Sequence, residues 1–164
     1  MTPLQSREPG AVGAALTAAQ CWFGIIADGH HVHPASFRVA VRSSEPGSAV
    51  LVTDAMASVG TDLDAFEVAG QAISVSGGRC TTTDGVLAGS DLNMNQAVCN
   101  AVEFAGLERV EALRMASLYP AKAIGLEREL GAIQPGYRAN LVAMDEALRV
   151  RSVWVDGVEL PGQV

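Results

Sequence analysis

Asp28, His30, His31 and His33 lie within six residues of one another, and a second carboxylate, Asp54, follows later in the chain. Imidazole and carboxylate groups set side by side can pass protons near neutral pH or share a cation. Both groups directly follow short apolar runs, Cys21-Trp22-Phe23-Gly24-Ile25-Ile26-Ala27 and Ala49-Val50-Leu51-Val52-Thr53. Runs of that length and composition read as strands buried on both faces. In parallel α/β folds the reacting groups collect at the C-terminal ends of strands, because the variable loops open there. An aspartate that ends a strand is also a common turn or cap residue, so type and place alone leave its role open. His31-Val32-His33 has the spacing of a zinc-binding pair on one strand face. Pro34 follows at once, however, so the segment is already leaving the strand, and His33 reads better as a solvated or supporting group.

The elements that must position these residues are legible from spacing. Arg7-Glu8-Pro9-Gly10 opens a helix of small residues over 11–19, ahead of the first strand. Asp28-Gly29 ends that strand, and Pro34 starts a helix to about Arg42 from the first helical position, where its missing N–H costs nothing. Glu45-Pro46-Gly47-Ser48 is a turn into the second strand. Strand, helix and strand in short order predict a parallel βαβ unit with a right-handed crossover. Residues 66–83, with Gly70, Gly77 and Gly78, are β-prone and predict a hairpin or small sheet outside the parallel layer. Ser90 or Asp91 is expected to cap a helix to about Ala105. In that helix Met94, Ala97, Val98, Ala101, Val102 and Ala105 form one buried stripe. Further helices are expected over 108–118 and from Pro120 to Gly125, and residues 139–144 and 150–158 read as antiparallel strands. Two parallel strands this apolar need neighbours, so the barrel or sheet they belong to is expected to be incomplete in this chain.

Composition sets the outer limits. With 164 residues, 49% hydrophobic and 18% charged, the chain has the makings of a folded domain. A formal net charge of −7 argues against a general nucleic-acid or anionic-membrane surface, yet leaves room for a local basic pocket. Three cysteines, Cys21, Cys80 and Cys99, with no CxxC, read as small apolar side chains in a reducing cytoplasm rather than as a disulfide framework. The apolar segment 11–27 is broken by Gly13, Gln20 and Gly24, which argues against a signal peptide or a membrane span.

Three ordered blocks carry a resemblance: Ile26-Ala27-Asp28-Gly29-His30-His31-Val32-His33-Pro34, Leu51-Val52-Thr53-Asp54-Ala55-Met56 and Gly85-Val86-Leu87-Ala88-Gly89-Ser90. With Arg7-Glu8-Pro9-Gly10 they resemble the N-acetylglucosamine-6-phosphate deacetylases. The closing run, from Leu118-Tyr119-Pro120 through Gly131-Ala132-Ile133 to Gly136-Tyr137-Arg138-Ala139-Asn140-Leu141-Val142, is similar to the C-terminal signature of the wider amidohydrolase superfamily. The resemblance implies an α/β fold: the last part of a metal-dependent (β/α)₈ TIM barrel with part of a small β-sandwich domain. Residues 1–65 would hold the last two barrel strands and their helices, 66–84 a β-hairpin insertion, 85–137 the C-terminal barrel helices and 138–164 strands of the sandwich.

The resemblance also implies the chemistry. The family removes acetate from the 2-acetamido group of its phosphorylated amino sugar, with water activated by a divalent metal of zinc or iron type. Asp54 matches the catalytic aspartate, which takes a proton as the amide carbon is attacked and returns it to the departing amine. His31 matches a substrate-binding histidine, and Arg7 a phosphate-binding arginine that reaches a neighbouring subunit's site, which implies a homodimer. Leu87, Ala88 and Gly89 match a substrate-lining loop. The family's direct metal ligands, a glutamate and two histidines, come from earlier strands, the last of them just ahead of the position matching Met1. No metal ligand is therefore expected in this chain beyond a minor one from Asp54, and the chain alone is expected to be inactive. A separate N-terminal half is one expected partner. Asn140, where the superfamily has aspartate, is a departure at a structural position. Two rival readings stand beside this one: another amidohydrolase of dihydroorotase or deaminase type, and a non-catalytic interaction fragment.

Overall fold

A computed structural model describes residues 2–161; Met1 and the last three residues of the expected sandwich segment, 162–164, lie outside the described residues. Helix α1 (Gly10–Thr17) leads into β1 (Phe23–Ile26), α2 (Pro34–Ser43) and β2 (Ala49–Val52). The two strands pair in parallel, with Phe23 opposite Ala49 and Ile26 opposite Val52, as the βαβ pattern predicts. Pro34 occupies the start of α2, and the His33 ring caps it by accepting from the Ala35 N–H at 3.1 Å. The expectation of strands covered on both faces is not met within this chain. Leu51 is 2% exposed and Val52 38%, so burial alternates and one face stays open among the described residues.

The covered face packs against helices. α3 (Met94–Ala105) lies across β2 and α2, and Ile25, Leu51, Phe37, Val98, Ala101 and Met115 form one continuous core. Burying side chains of this size from water stabilises the fold by about 1.5–3 kcal/mol each for the larger ones. Asn93, rather than Ser90 or Asp91, caps α3: its Oδ1 accepts from the Gln96 N–H at 2.8 Å. Ala97, Val98, Ala101 and Ala105 form the buried stripe, while Met94 at the first turn is exposed. Gly106, at φ 63°, closes the helix in the left-handed conformation. Arg38 and Arg42 of α2 donate to the Phe104 and Ala105 carbonyls at that end, which ties the two helices together.

Between β2 and α3 the chain builds more than a hairpin. β3 (Ala65–Val68), β4 (Gln71–Ser76), β5 (Arg79–Thr82) and β6 (Leu87–Ser90) form a four-stranded antiparallel meander. After α3 come α4 (Arg109–Ala116) and α5 (Leu118–Ala123), which starts two residues before Pro120. The tail folds as β7 (Leu141–Met144), β8 (Val150–Val155) and β9 (Val158–Glu159), an antiparallel sheet with one strand more than expected. No helix of the described residues is long and apolar enough to cross a membrane.

Candidate active site

The end of β1 turns sharply because Asp28 holds the turn from inside. Its Oδ1 accepts from the N–H groups of His30 and His31, both at 2.9 Å, and its Oδ2 lies 2.7 Å from His31 Nδ1. The Asp28 side chain is 3% exposed. That burial works against ionisation, but the hydrogen bonds from the His31 ring and the two backbone N–H groups outweigh it and hold the carboxyl below the usual aspartate range. An ionised carboxylate only accepts, so the proton between the two groups sits on Nδ1. The opposite ring nitrogen, Nε2, then faces Asp54 Oδ2 at 3.3 Å. The line Asp28–His31–Asp54 runs outward, since the His31 side chain is 19% and that of Asp54 53% exposed.

Asp54 leaves β2 at φ 52°, a left-handed conformation that aspartate tolerates better than most residues. Its backbone is stitched to β6, whose Ser90 N–H donates to the Asp54 carbonyl at 2.9 Å and whose Ser90 carbonyl accepts from the Met56 N–H at 3.0 Å. Leu87, Ala88 and Gly89 therefore lie in a strand and not in the loop that the sequence suggested. The register passes from Cys80–Gly89 to Thr81–Leu87, which leaves Ala88 as the extra residue of a bulge, a device that re-aims side chains at strand rims. Ser90 opens no helix.

The other histidines have structural work. His30 Nε2 lies 2.9 Å from the Gly77 carbonyl, so it fastens the β4–β5 turn beside the site. His33 caps α2, and the paired-ligand reading of His31 and His33 is not realised. Asn100 of α3 donates to the Ala27 carbonyl at 2.7 Å and takes a hydrogen bond from Gln96, anchoring the last residue before Asp28. Arg7 is exposed ahead of α1, and none of the described hydrogen bonds or ion pairs joins it to His31 or Asp54. Two clefts, lined by Pro46, Gly47 and Ala49 and by Cys21, Trp22 and Ser48, open at the N-terminal ends of β1 and β2, opposite the carboxylates.

Among the described residues no group of three or more His, Cys, Asp or Glu side chains is placed to hold a metal ion. A catalytic zinc takes about three protein ligands and a water. Asp54 offers one carboxylate and His31, held through Nδ1 by Asp28, at most its Nε2, two donors where about three are needed, so these residues do not make a complete metal centre on their own. What they can do is accept, hold and return a proton at an exposed carboxylate whose neighbour is a ring of fixed orientation. Sequence reasoning placed Asp28 in the cluster but missed its hold on His31, and it missed the parts of Ser90 and Asn100. An aspartate two and three residues ahead of the N–H groups it accepts is an Asx pattern, and that signal was present for Asp28.

The amidohydrolase family model matches residues 5–160. A protein of Escherichia coli (strain K12), provisionally named an N-acetylgalactosamine-6-phosphate deacetylase, is 43% identical over 157 residues, covering 96% of this chain and 93% of its own length. The N-acetylglucosamine-6-phosphate deacetylase of Haemophilus influenzae is 35% identical over 160 residues, 96% of this chain but 42% of that protein. Among solved structures, an aspartate-to-alanine variant of the Mycobacterium smegmatis N-acetyl-D-glucosamine-6-phosphate deacetylase, in complex with N-acetyl-D-glucosamine-6-phosphate, superposes with a TM-score of 0.89 at 32% identity. It covers 97% of this chain and 42% of the solved one. The chain thus spans about two fifths of these two longer relatives.

Proposed function

Because the chain belongs to the amidohydrolase family, we propose that it forms the Asp54-bearing part of an amidase site that removes acetate from a 2-acetamido sugar 6-phosphate. Water adds to the amide carbonyl carbon, the carbon–nitrogen bond breaks, and acetate and the free amine leave. In this reading Asp54 accepts the proton from the attacking water and delivers it to the departing nitrogen. His31 presents its ring edge to the sugar or to the developing oxyanion, and Leu87, Ala88 and Gly89 line the substrate. Arg7 grips the phosphate, for which its planar fork is suited, in the site of a second subunit of a homodimer.

The observation that carries this reading is the His31–Asp54 pair, 3.3 Å apart at the ends of two parallel strands. It occurs on a backbone that matches a deacetylase holding its sugar phosphate. In architecture, β1 and β2 would be the last strands of a TIM barrel and β7 to β9 part of a flanking β-sandwich. Amidohydrolases generally use a divalent metal. Its remaining ligands would come from polypeptide other than these 164 residues, so no step above is assigned to it. Relatives named for the galactosamine and for the glucosamine sugar, at 43% and 35% identity, make both 6-phosphates candidate substrates.

The test is acetate release from N-acetylgalactosamine 6-phosphate and N-acetylglucosamine 6-phosphate with Zn²⁺ supplied. It is run on the chain alone and on the chain joined to an amino-terminal amidohydrolase half that carries metal ligands. Release by the joined form only is the expected result. Release by the chain alone overturns the account of the metal ligands, and silence of a folded, zinc-loaded joined form overturns the deacetylase reading.

A further inference from the structure

We propose that Asp28 is a positioning residue of the site, fixing the tautomer and ring plane of His31 so that Nε2 and not Nδ1 faces Asp54. The proposal rests on the functional reading of Asp54 given above, but its geometry stands apart from turnover. Asp28 has two oxygens with two different duties. Oδ1 accepts the His30 and His31 N–H groups and so shapes the turn; Oδ2 meets only the ring, at 2.7 Å from Nδ1. The carboxylate is almost wholly buried, whereas Asp54 is half exposed, so the fixed charge lies behind the ring and the working carboxylate in front of it. A histidine free to rotate or change tautomer would present either nitrogen, protonated or bare, to Asp54. With Nδ1–H committed to Asp28, only the state of the Nε2 edge varies, and that edge is 3.3 Å from the carboxylate that takes the proton.

A merely structural aspartate predicts the same His31 ring state in the native chain and in Asp28→Asn, whereas a positioning one predicts a change. Asp28→Asn keeps an oxygen for the two N–H groups and replaces Oδ2 by an NH₂ group. That group donates toward Nδ1, so the ring must leave Nδ1 bare and carry its proton on Nε2. The turn survives and the tautomer inverts.

The measurement is a long-range ¹H–¹⁵N correlation spectrum of the histidine rings in the full 164-residue chain near neutral pH, with His31 assigned by His31→Gln. Nδ1 protonated in the native chain and bare in Asp28→Asn is expected. A native ring without Nδ1–H, or the same ring state in both folded proteins, overturns the proposal. If Asp28→Asn does not fold, the native spectrum decides alone. In the joined protein with Zn²⁺, Asp28→Asn is expected to lower kcat about 10- to 100-fold with KM little changed, and Asp28→Glu to recover part of it. Unchanged kcat overturns the positioning role. Absence of deacetylation in the joined native protein defeats the functional reading and leaves the tautomer result to stand or fall by itself.

Discussion

Ser90 and Asp54 are joined through the backbone, the N–H of Ser90 donating to the Asp54 carbonyl at 2.9 Å, while the Ser90 hydroxyl reaches the carbonyl of the preceding residue, Thr53, at 2.5 Å. The same hydroxyl accepts from the Leu92 N–H at 3.1 Å, and Ser90 is fully buried. A left-handed aspartate costs about 1–2 kcal/mol of backbone strain, and it persists where its surroundings hold it. Ser90→Ala removes the hydroxyl but keeps the backbone bonds. It leaves the Thr53 carbonyl and the Leu92 N–H without their partner, so stability should fall by about 1–3 kcal/mol in urea unfolding. An unchanged midpoint would mean that the hydroxyl does not support the strand end.

Asp54 itself should matter to rate and not to stability. Its side chain is 53% exposed, and asparagine accepts left-handed backbone as readily as aspartate does. Asp54→Asn should stay within about 0.5 kcal/mol of native stability, and in the joined protein should lower kcat about 10²- to 10⁴-fold. Steady-state acetate release and a denaturant melt on the same preparation check both halves.

Asp28 has a pH signature with a defined sign. Its folded carboxyl ionises below the ordinary aspartate value of 3.8: burial opposes the charge, but the His31 ring and the two N–H groups overcome it. A depressed folded pKa adds stability that is fully present above the unfolded value and is lost as pH falls through the folded one. The Asp28 contribution to the stability difference between native chain and Asp28→Asn should therefore be present at about pH 5 and shrink as pH drops below 3.8. Unfolding free energies at several acid pH values give the curve; a difference that grows on acidification would contradict the assigned sign.

Much of this arrangement was legible in the sequence, and the reasons differ by element. β1, α2 and β2 were readable because apolar runs, Asp28-Gly29 and Pro34 are local signals, and the parallel pairing follows from topology alone. The meander was read as a smaller sheet, because β6 begins in Gly85-Val86-Leu87-Ala88-Gly89, whose small residues look like a loop. Its strand character comes from pairing with β5 and from the stitch to Asp54, contacts that no local pattern reports. The same holds for the helix cap: Ser90, Asp91 and Asn93 are all competent caps, and Ser90 was already engaged by Thr53. His33 lost its ligand reading to the same proline that sets the start of α2.

Arg7 is exposed, so its removal should leave the fold intact. If it binds phosphate in the assembled enzyme, Arg7→Ala removes a charge-assisted hydrogen bond of about 1.5–3 kcal/mol. At ~1.4 kcal/mol per tenfold, that raises KM for the 6-phosphate sugar by roughly 10- to 150-fold. KM for the unphosphorylated sugar should not move. An equal effect on both substrates would take the phosphate role away from Arg7.

Substitution of Gly89 is expected to be costly for a reason of space. A Cβ there would lie 2.5 Å from Met56 Cγ, 2.6 Å from Met56 Sδ and 3.2 Å from the Asp54 carbonyl oxygen. Met56 is flexible and partly exposed, so it can swing aside at some loss of packing, whereas the carbonyl is fixed by Ser90. Gly89→Ala should cost about 1–3 kcal/mol, the usual range for overpacking. Gly85, at φ 80° with open space around it, should lose roughly 1–2 kcal/mol from backbone strain alone. The two causes separate in a double-mutant cycle with Met56→Ala. If the thioether is the obstacle, Met56→Ala recovers a large share of the Gly89→Ala loss and recovers nothing at Gly85. If the losses simply add, the obstacle is the Asp54 carbonyl. Gly89→Ala would then displace Asp54, and in the joined protein it should lower kcat together with stability.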